Sequence, residues 1–143
     1  VNPPLRTSKD VDALLQGLKD GVIDAVVSQH TPQEIEFKNV EFHIAKNGIT
    51  GLQTVLPMLC LAGLTEEQIV EKLSINPRKI VSLNVPTLEK GEKANLVVFD
   101  TNEKWTFDEK SNKSKGANNP LFGQELTGKV KLVYNNNQLI INN

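Results

Sequence analysis

The sequence has one cysteine, one methionine, one tryptophan, one tyrosine and two histidines in 143 residues. A lone Cys60 excludes an intrachain disulfide framework, and its place in an apolar run predicts a buried thiol. His30 and His43, with no nearby cysteines or paired acids, do not make a metal site by spacing. Long hydrophobic runs are missing as well. The longest, around 55–64, is interrupted by Pro57 and is too short to span a membrane. No signal-peptide pattern is present, so a cytoplasmic protein is expected. Neither charge sign dominates: 16 basic and 17 acidic residues leave a net charge of -1, which gives no general attraction to nucleic acid or anionic lipid. Repeats and low-complexity tracts are also lacking. What is present, 38% apolar and 23% charged residues, is a globular composition. The length suits one ordinary domain or the end of a larger protein. The opening Val1-Asn2-Pro3-Pro4-Leu5-Arg6 has no Met and reads as a chain entered within a loop, so a fragment is expected.

Along the chain, Thr7 or Ser8 can cap a helix, with Asp10 at its positive end. Val11, Leu14, Leu15 and Leu18 follow at helical spacing, and Gly21 closes it. The apolar, β-branched run 22–27 predicts a buried strand. A helix followed by such a strand is the pattern of a parallel α/β sheet or barrel. Residues 31–46 have mixed charge and no clean period, as in a long loop above strand ends. A helix is predicted over 49–62, with Gly48 and Gly51 at its entrance and a bend at Pro57. Thr65-Glu66-Glu67-Gln68 is a capping box. Asn76-Pro77 predicts a further helix start, Asn as cap and Pro in the first turn. Strands are predicted at 96–99, 104–107, 129–134 and 138–141, the last two joined at Asn135-Asn136-Asn137 because Asn tolerates positive φ. Residues 108–119 are polar and aperiodic, a loop. Two parts follow: 1–85, of α/β type, and 86–143, β-rich.

The most informative string is Val27-Ser28-Gln29-His30-Thr31-Pro32-Gln33, at the end of the strand-like run. Together with Asn2-Pro3-Pro4-Leu5-Arg6, Gly48-Ile49-Thr50-Gly51-Leu52-Gln53-Thr54 and Gly91-Glu92-Lys93-Ala94-Asn95-Leu96-Val97-Val98-Phe99-Asp100, it resembles the C-terminal part of the dihydroorotase family, within the amidohydrolase superfamily. The order and spacing of these strings carry the resemblance over nearly all of the chain. It implies an α/β fold: residues 1–85 as the last strand and helices of a (β/α)8 TIM-type barrel, and 86–143 as strands of a small β-sandwich domain. It also implies interconversion of dihydroorotate and carbamoyl-aspartate with zinc as cofactor. The family's other metal ligands would lie upstream.

In that family an aspartate at the position of Gln29 is both metal ligand and proton carrier. A carboxamide coordinates weakly and cannot take up a proton near neutral pH. By the same resemblance, Asn2 matches a substrate-contacting asparagine, Gln33 stands where a substrate-binding histidine is usual, and Asn47-Gly48 matches a backbone contact pair that is usually Phe-Gly. His30 is not the base and is expected to make a structural hydrogen bond. No metal ligand is expected to be retained. The implied reading is a dihydroorotase-like protein with an impaired site. Its partners would be the upstream remainder of the barrel, aspartate carbamoyltransferase and further copies of itself. Two readings stand beside it: a working hydrolase of the same superfamily that tolerates Gln29, and an independent small binding module. Residue by residue, plain readings also remain open. Gln29 would be a polar strand end, Glu34, Glu36 and Glu41 a wet loop face, His43 a solvated side chain, and Asn47-Gly48 either a simple turn or an anion site at a helix entrance.

Overall fold

The computed structural model describes residues 3, 4 and 7–142. The first helix, α1 (Ser8–Lys19), starts at Thr7 as the sequence predicts. The Thr7 hydroxyl accepts from the Asp10 N–H and the Asp10 carboxylate accepts from the Thr7 N–H, a full capping box. Gly21 sits just beyond the helix at φ 77. None of α1's residues is buried.

The run 22–27 begins in a bend at Val22 and Ile23 and has no ladder beside it among the described residues, and Val22 and Val27 are 78% and 82% exposed. A strand needs a neighbouring strand to take its backbone groups. Here a helical segment takes several of them instead. The Val26 N–H donates to the Lys72 carbonyl (3.0 Å), the Lys72 ammonium donates to the Ile23 carbonyl (2.6 Å), and Asn76 Nδ2 donates to the Asp24 carbonyl (3.0 Å). Only at His30 does the segment form a bridge, parallel, to Ile49.

After a single 3-10 turn (Ile35–Phe37), helix α2 covers Val55–Leu61 rather than 49–62. The later start puts Pro57 in the first turn, where its missing N–H would have had no helical partner, so no bend is required. Next, α3 (Glu66–Val70) begins with the predicted capping box at Thr65 and Gln68. It runs through a π-helical turn (Glu71–Ile75) directly into α4 (Asn76–Ile80). Asn76 is therefore within a continuous helix and does not cap one. The wider π turn accommodates Pro77 without a break.

The β part is one antiparallel sheet in the order β1 (Leu96–Thr106), β2 (Glu125–Asn135), β3 (Gln138–Ile141). The two strands predicted at 96–99 and 104–107 are a single strand. It has two register shifts against β2, one between Val98 and Phe99 and one between Asp100 and Lys104, and at the second the polar 101–103 stretch is absorbed without pairing. The β2–β3 hairpin is as predicted, with Asn136 and Asn137 at φ 48 and 60.

The core lies between the helices and the sheet. Leu56, Leu59, Leu64 and Ile69 are buried together, with Val26, Cys60, Phe99 and Val130 packed against them. Each large side chain buried there contributes about 1.5–3 kcal/mol. Close approach of α2 to β2 depends on Gly128: a Cβ there would lie 2.8 Å from Cys60 Sγ. Cys60 is half-buried rather than fully buried, and desolvation raises its thiol pKa. A second packed group joins Phe107 edge-to-face with Trp105 and Phe122.

Candidate functional site

Where the extended segment ends, Gln29 adopts φ 45, a left-handed conformation uncommon for a long side chain. That turn aims the chain into the His30–Ile49 bridge, and the Thr31 N–H donates to the Ile49 carbonyl (2.8 Å). The result is a cleft of about 250 Å³ lined by Pro3, Val27, Ser28, Gln29, Asn47, Gly48 and Ile49. Three of the residues singled out in the sequence, Gln29, Asn47 and Gly48, thus line one cleft. Gln33 stands beside it and does not line it. Its Nε2 donates to the Asn47 carbonyl (3.3 Å), which ties the two walls together. Asn2 lies outside the described residues.

Gly48 is required where it is. Its φ is 124, and a Cβ would lie 2.7 Å from Thr31 Cβ and 2.8 Å from the Thr31 carbonyl oxygen. The helix predicted to open here begins only at Val55, so Asn47-Gly48 is irregular backbone leading into the Ile49 bridge and not a helix N-terminus that could hold an anion. His30 makes the structural bond expected of it: its Nδ1 accepts from the Leu52 N–H (3.3 Å). Glu34, Glu36, Glu41 and His43 are exposed.

Sequence reasoning missed two groups that build the walls. The Lys38 ammonium donates to the Lys46 carbonyl (2.6 Å) and to the Gly48 carbonyl (2.8 Å). The loop 108–124 reaches back from the β part. Asn118 Nδ2 donates to the Thr31 (3.3 Å) and Gly48 (3.1 Å) carbonyls, and its Oδ1 accepts from the Gln33 N–H (3.0 Å). Asn119 Nδ2 donates to the Thr50 carbonyl (2.5 Å), and Gln53 bonds Ser111 and Lys113. No local pattern announces these contacts. An asparagine pair before a proline in a polar loop was the only available signal.

The donors of the described residues do not by themselves fit a dication. Among the described residues no group of three or more His, Cys, Asp or Glu could hold a metal ion. At the lip of the cleft Gln29 offers a neutral amide, and one ring nitrogen of His30 is already engaged by a backbone N–H.

Comparison with known proteins places this architecture. The amidohydrolase family pattern matches residues 2–139. The chain belongs to the amidohydrolase family. The chain is similar to the dihydroorotase of Acetivibrio thermocellus, 42% identical over 146 residues, covering 99% of this chain and 34% of that protein. It is similar also to the dihydroorotase of Ruminiclostridium cellulolyticum, 46% identical over 133 residues, covering 90% and 31%. The chain spans about a third of the length of the curated relatives it matches. Among solved structures it resembles the L-hydantoinase (dihydropyrimidinase) from Arthrobacter aurescens, with a TM-score of 0.85 and 27% identity over 99% of this chain and 34% of that one. It also resembles the inactive dihydroorotase-like domain of the Chaetomium thermophilum CAD-like multifunctional protein, with a TM-score of 0.65 and 24% identity over 94% and 36%. At that identity the likeness concerns the fold alone. The family resemblance read from the sequence therefore holds, with an α/β fold and a small antiparallel sheet. No helix of the described residues is long and apolar enough to cross a membrane.

Proposed function

We propose that this chain is the C-terminal segment of a dihydroorotase-like protein of pyrimidine biosynthesis, impaired in catalysis because Gln29 stands at the metal-site aspartate position. The observation that carries this reading is the placement of Gln29 in one cleft with Asn47 and Gly48. A carboxamide there neither accepts nor delivers a proton near neutral pH, and a positioned acid–base group is worth roughly 10²–10⁴-fold in rate. In this reading 1–85 completes a (β/α)8 barrel and 86–143 contributes to a β-sandwich. The unburied α1 and the exposed Val22 and Val27 are the surfaces against which the upstream remainder of the barrel packs. Any zinc is held mainly by residues outside this chain; when bound, it lowers the pKa of water and polarises an amide carbonyl. The protein is cytoplasmic, self-associates and serves as a structural partner of aspartate carbamoyltransferase.

The level of identity to two dihydroorotases favours a second reading, that the site remains an active cyclic-amide hydrolase with another proton carrier. Dihydroorotate hydrolysis by the full-length protein containing this segment, supplied with zinc, beside its Gln29→Asp variant, separates the two. We expect no turnover in the parent and recovery in the variant. Clear turnover by the unmodified protein overturns the impaired reading in favour of the hydrolase. Silence from both places the loss beyond Gln29 and leaves partner binding as the function to measure.

A further inference from the structure

The Gln29 cleft is walled by residues 27–29 and 47–49, and the backbone that continues from the first wall, 31–33, runs beside the second. Beside the parallel His30–Ile49 bridge, the Thr31 N–H donates to the Ile49 carbonyl and Gln33 Nε2 donates to the Asn47 carbonyl. Asn118 makes three bonds to these two stretches. It arrives from the β part of the chain, 70 residues from Gly48 and 87 from Thr31. Its single carboxamide takes the Gln33 N–H on its oxygen and gives its two N–H groups to the Thr31 and Gly48 carbonyls. This uses the amide's donors and acceptor in the arrangement only Asn or Gln can offer, and Gln is one methylene too long for the same reach. The Gly48 carbonyl receives both Asn118 and the Lys38 ammonium, so its lone pairs point into the clamp and not into the cleft. The loop that carries Asn118 is itself fixed: Asn112 Nδ2 donates to the Ser114 and Gly116 carbonyls, and Gln53 holds Ser111 and Lys113.

We infer that Asn118 is the positioning residue of this cleft, setting the spacing of its two walls from the C-terminal loop. The inference rests on the reading of the cleft as a ligand site only where it predicts a kinetic effect. The clamp itself is a claim about geometry. Asn118 touches no reacting group; it acts through Gly48, which lines the cleft, and through the Thr31–Gln33 backbone behind it.

Residue-resolved amide exchange on the full-length protein tests the clamp. Asn118→Ala removes all three bonds, so exchange at Gln33 and at Thr31 should rise about ten-fold each, the equivalent of one hydrogen bond, with α2 and α3 unchanged. Asn118→Asp keeps an acceptor for the Gln33 N–H but turns oxygen toward two carbonyls. It should leave Gln33 protected while Thr31 opens as the walls part. A residue that merely stabilised the fold would not split the two amides in this way. Unchanged Thr31 exchange in both variants, or a rise spread evenly through α2 and α3, overturns the inference. In a Gln29→Asp background active on dihydroorotate, adding Asn118→Ala should raise KM about ten-fold with kcat within about two-fold, the sign of lost binding shared by ground and transition state. A fall in kcat at unchanged KM would overturn the assigned role. If the Gln29→Asp protein is silent, the catalytic loss lies beyond Gln29, and the Thr31 and Gln33 exchange pattern alone decides the clamp.

Discussion

Two threonines on the turn into α2, Thr50 and Thr54, are 2% and 3% exposed, yet replacing each by valine should shift stability in opposite directions. The Thr50 hydroxyl is buried with no hydrogen-bond partner, although its backbone N–H reaches the Asn118 carbonyl and its carbonyl accepts from Asn119. A buried unsatisfied hydroxyl costs about 1–3 kcal/mol. Valine has the same branched shape and keeps both backbone bonds, so Thr50→Val should stabilise by about 1 kcal/mol. The Thr54 hydroxyl, in contrast, donates to the Gly51 carbonyl and accepts from Asn119 Nδ2, both at 3.3 Å. Thr54→Val loses two bonds worth about 0.5–1.5 kcal/mol each and strands an Asn119 donor, a loss of about 1–3 kcal/mol. The urea midpoints of the two variants, taken at equal m-values, should therefore move apart by about 2–4 kcal/mol in free energy. If Thr50→Val destabilises as much as Thr54→Val, the Thr50 hydroxyl has a partner and the reasoning about this turn is wrong.

Gly48→Ala should cost more than about 2 kcal/mol, because it combines φ 124 with a Cβ pressed against Thr31; a midpoint shift worth less than about 0.5 kcal/mol would show that the wall can move. Glu103 on β1 is hydrogen-bonded by Lys131 (2.5 Å) and Lys129 (3.0 Å), and these bonds, Lys131 first, hold its carboxyl below the ordinary 4.5. A carboxyl lowered in the folded state contributes stability above its unfolded value and loses it as pH falls through the lower folded value. Glu103→Gln should therefore flatten the acid side of the Tm–pH profile below that ordinary value while changing its shape little at neutral pH. An unchanged acid slope would mean the two lysines add nothing to folding.

What the sequence revealed, it revealed through local chemistry. The capping boxes at Thr7 and Thr65 and the left-handed Asn136-Asn137 turn are closed by bonds spanning three residues or fewer, so residue type and spacing suffice to find them. Pro57 was legible as a special position but not as to its kind, because its effect depends on where α2 starts, and tertiary contacts set that start. The 22–27 segment has the composition of a buried strand, yet it pairs with no strand among the described residues and leaves Val22 and Val27 exposed. Composition records what the segment is suited to pack against, and the partners must come from elsewhere. The site was legible at Gln29, Asn47 and Gly48, where a family resemblance could be laid over a single stretch. Asn118 and Lys38 were not, since each acts by reaching a carbonyl in another segment and polar loops carry no period to mark such a reach.

The backbone at Gln29 bears on how the central test should be interpreted. A left-handed φ costs an ordinary side chain roughly 1–2 kcal/mol, and among non-glycine residues Asp and Asn enter it most readily because a short polar side chain can bond locally. Gln lacks that advantage: its amide lies one methylene farther out. The turn at 29 is thus better suited to an aspartate than to the residue it holds, and the chain keeps it because the Thr31–Ile49 bond and the clamp on Gly48 over-determine the walls on either side. It follows that Gln29→Asp should fold at least as well as the parent. Restored turnover in that variant would then report the proton-carrying group, and failure could not be assigned to a collapsed loop. A marked loss of stability on Gln29→Asp would contradict this account of the turn and weaken the case that an acid belongs there.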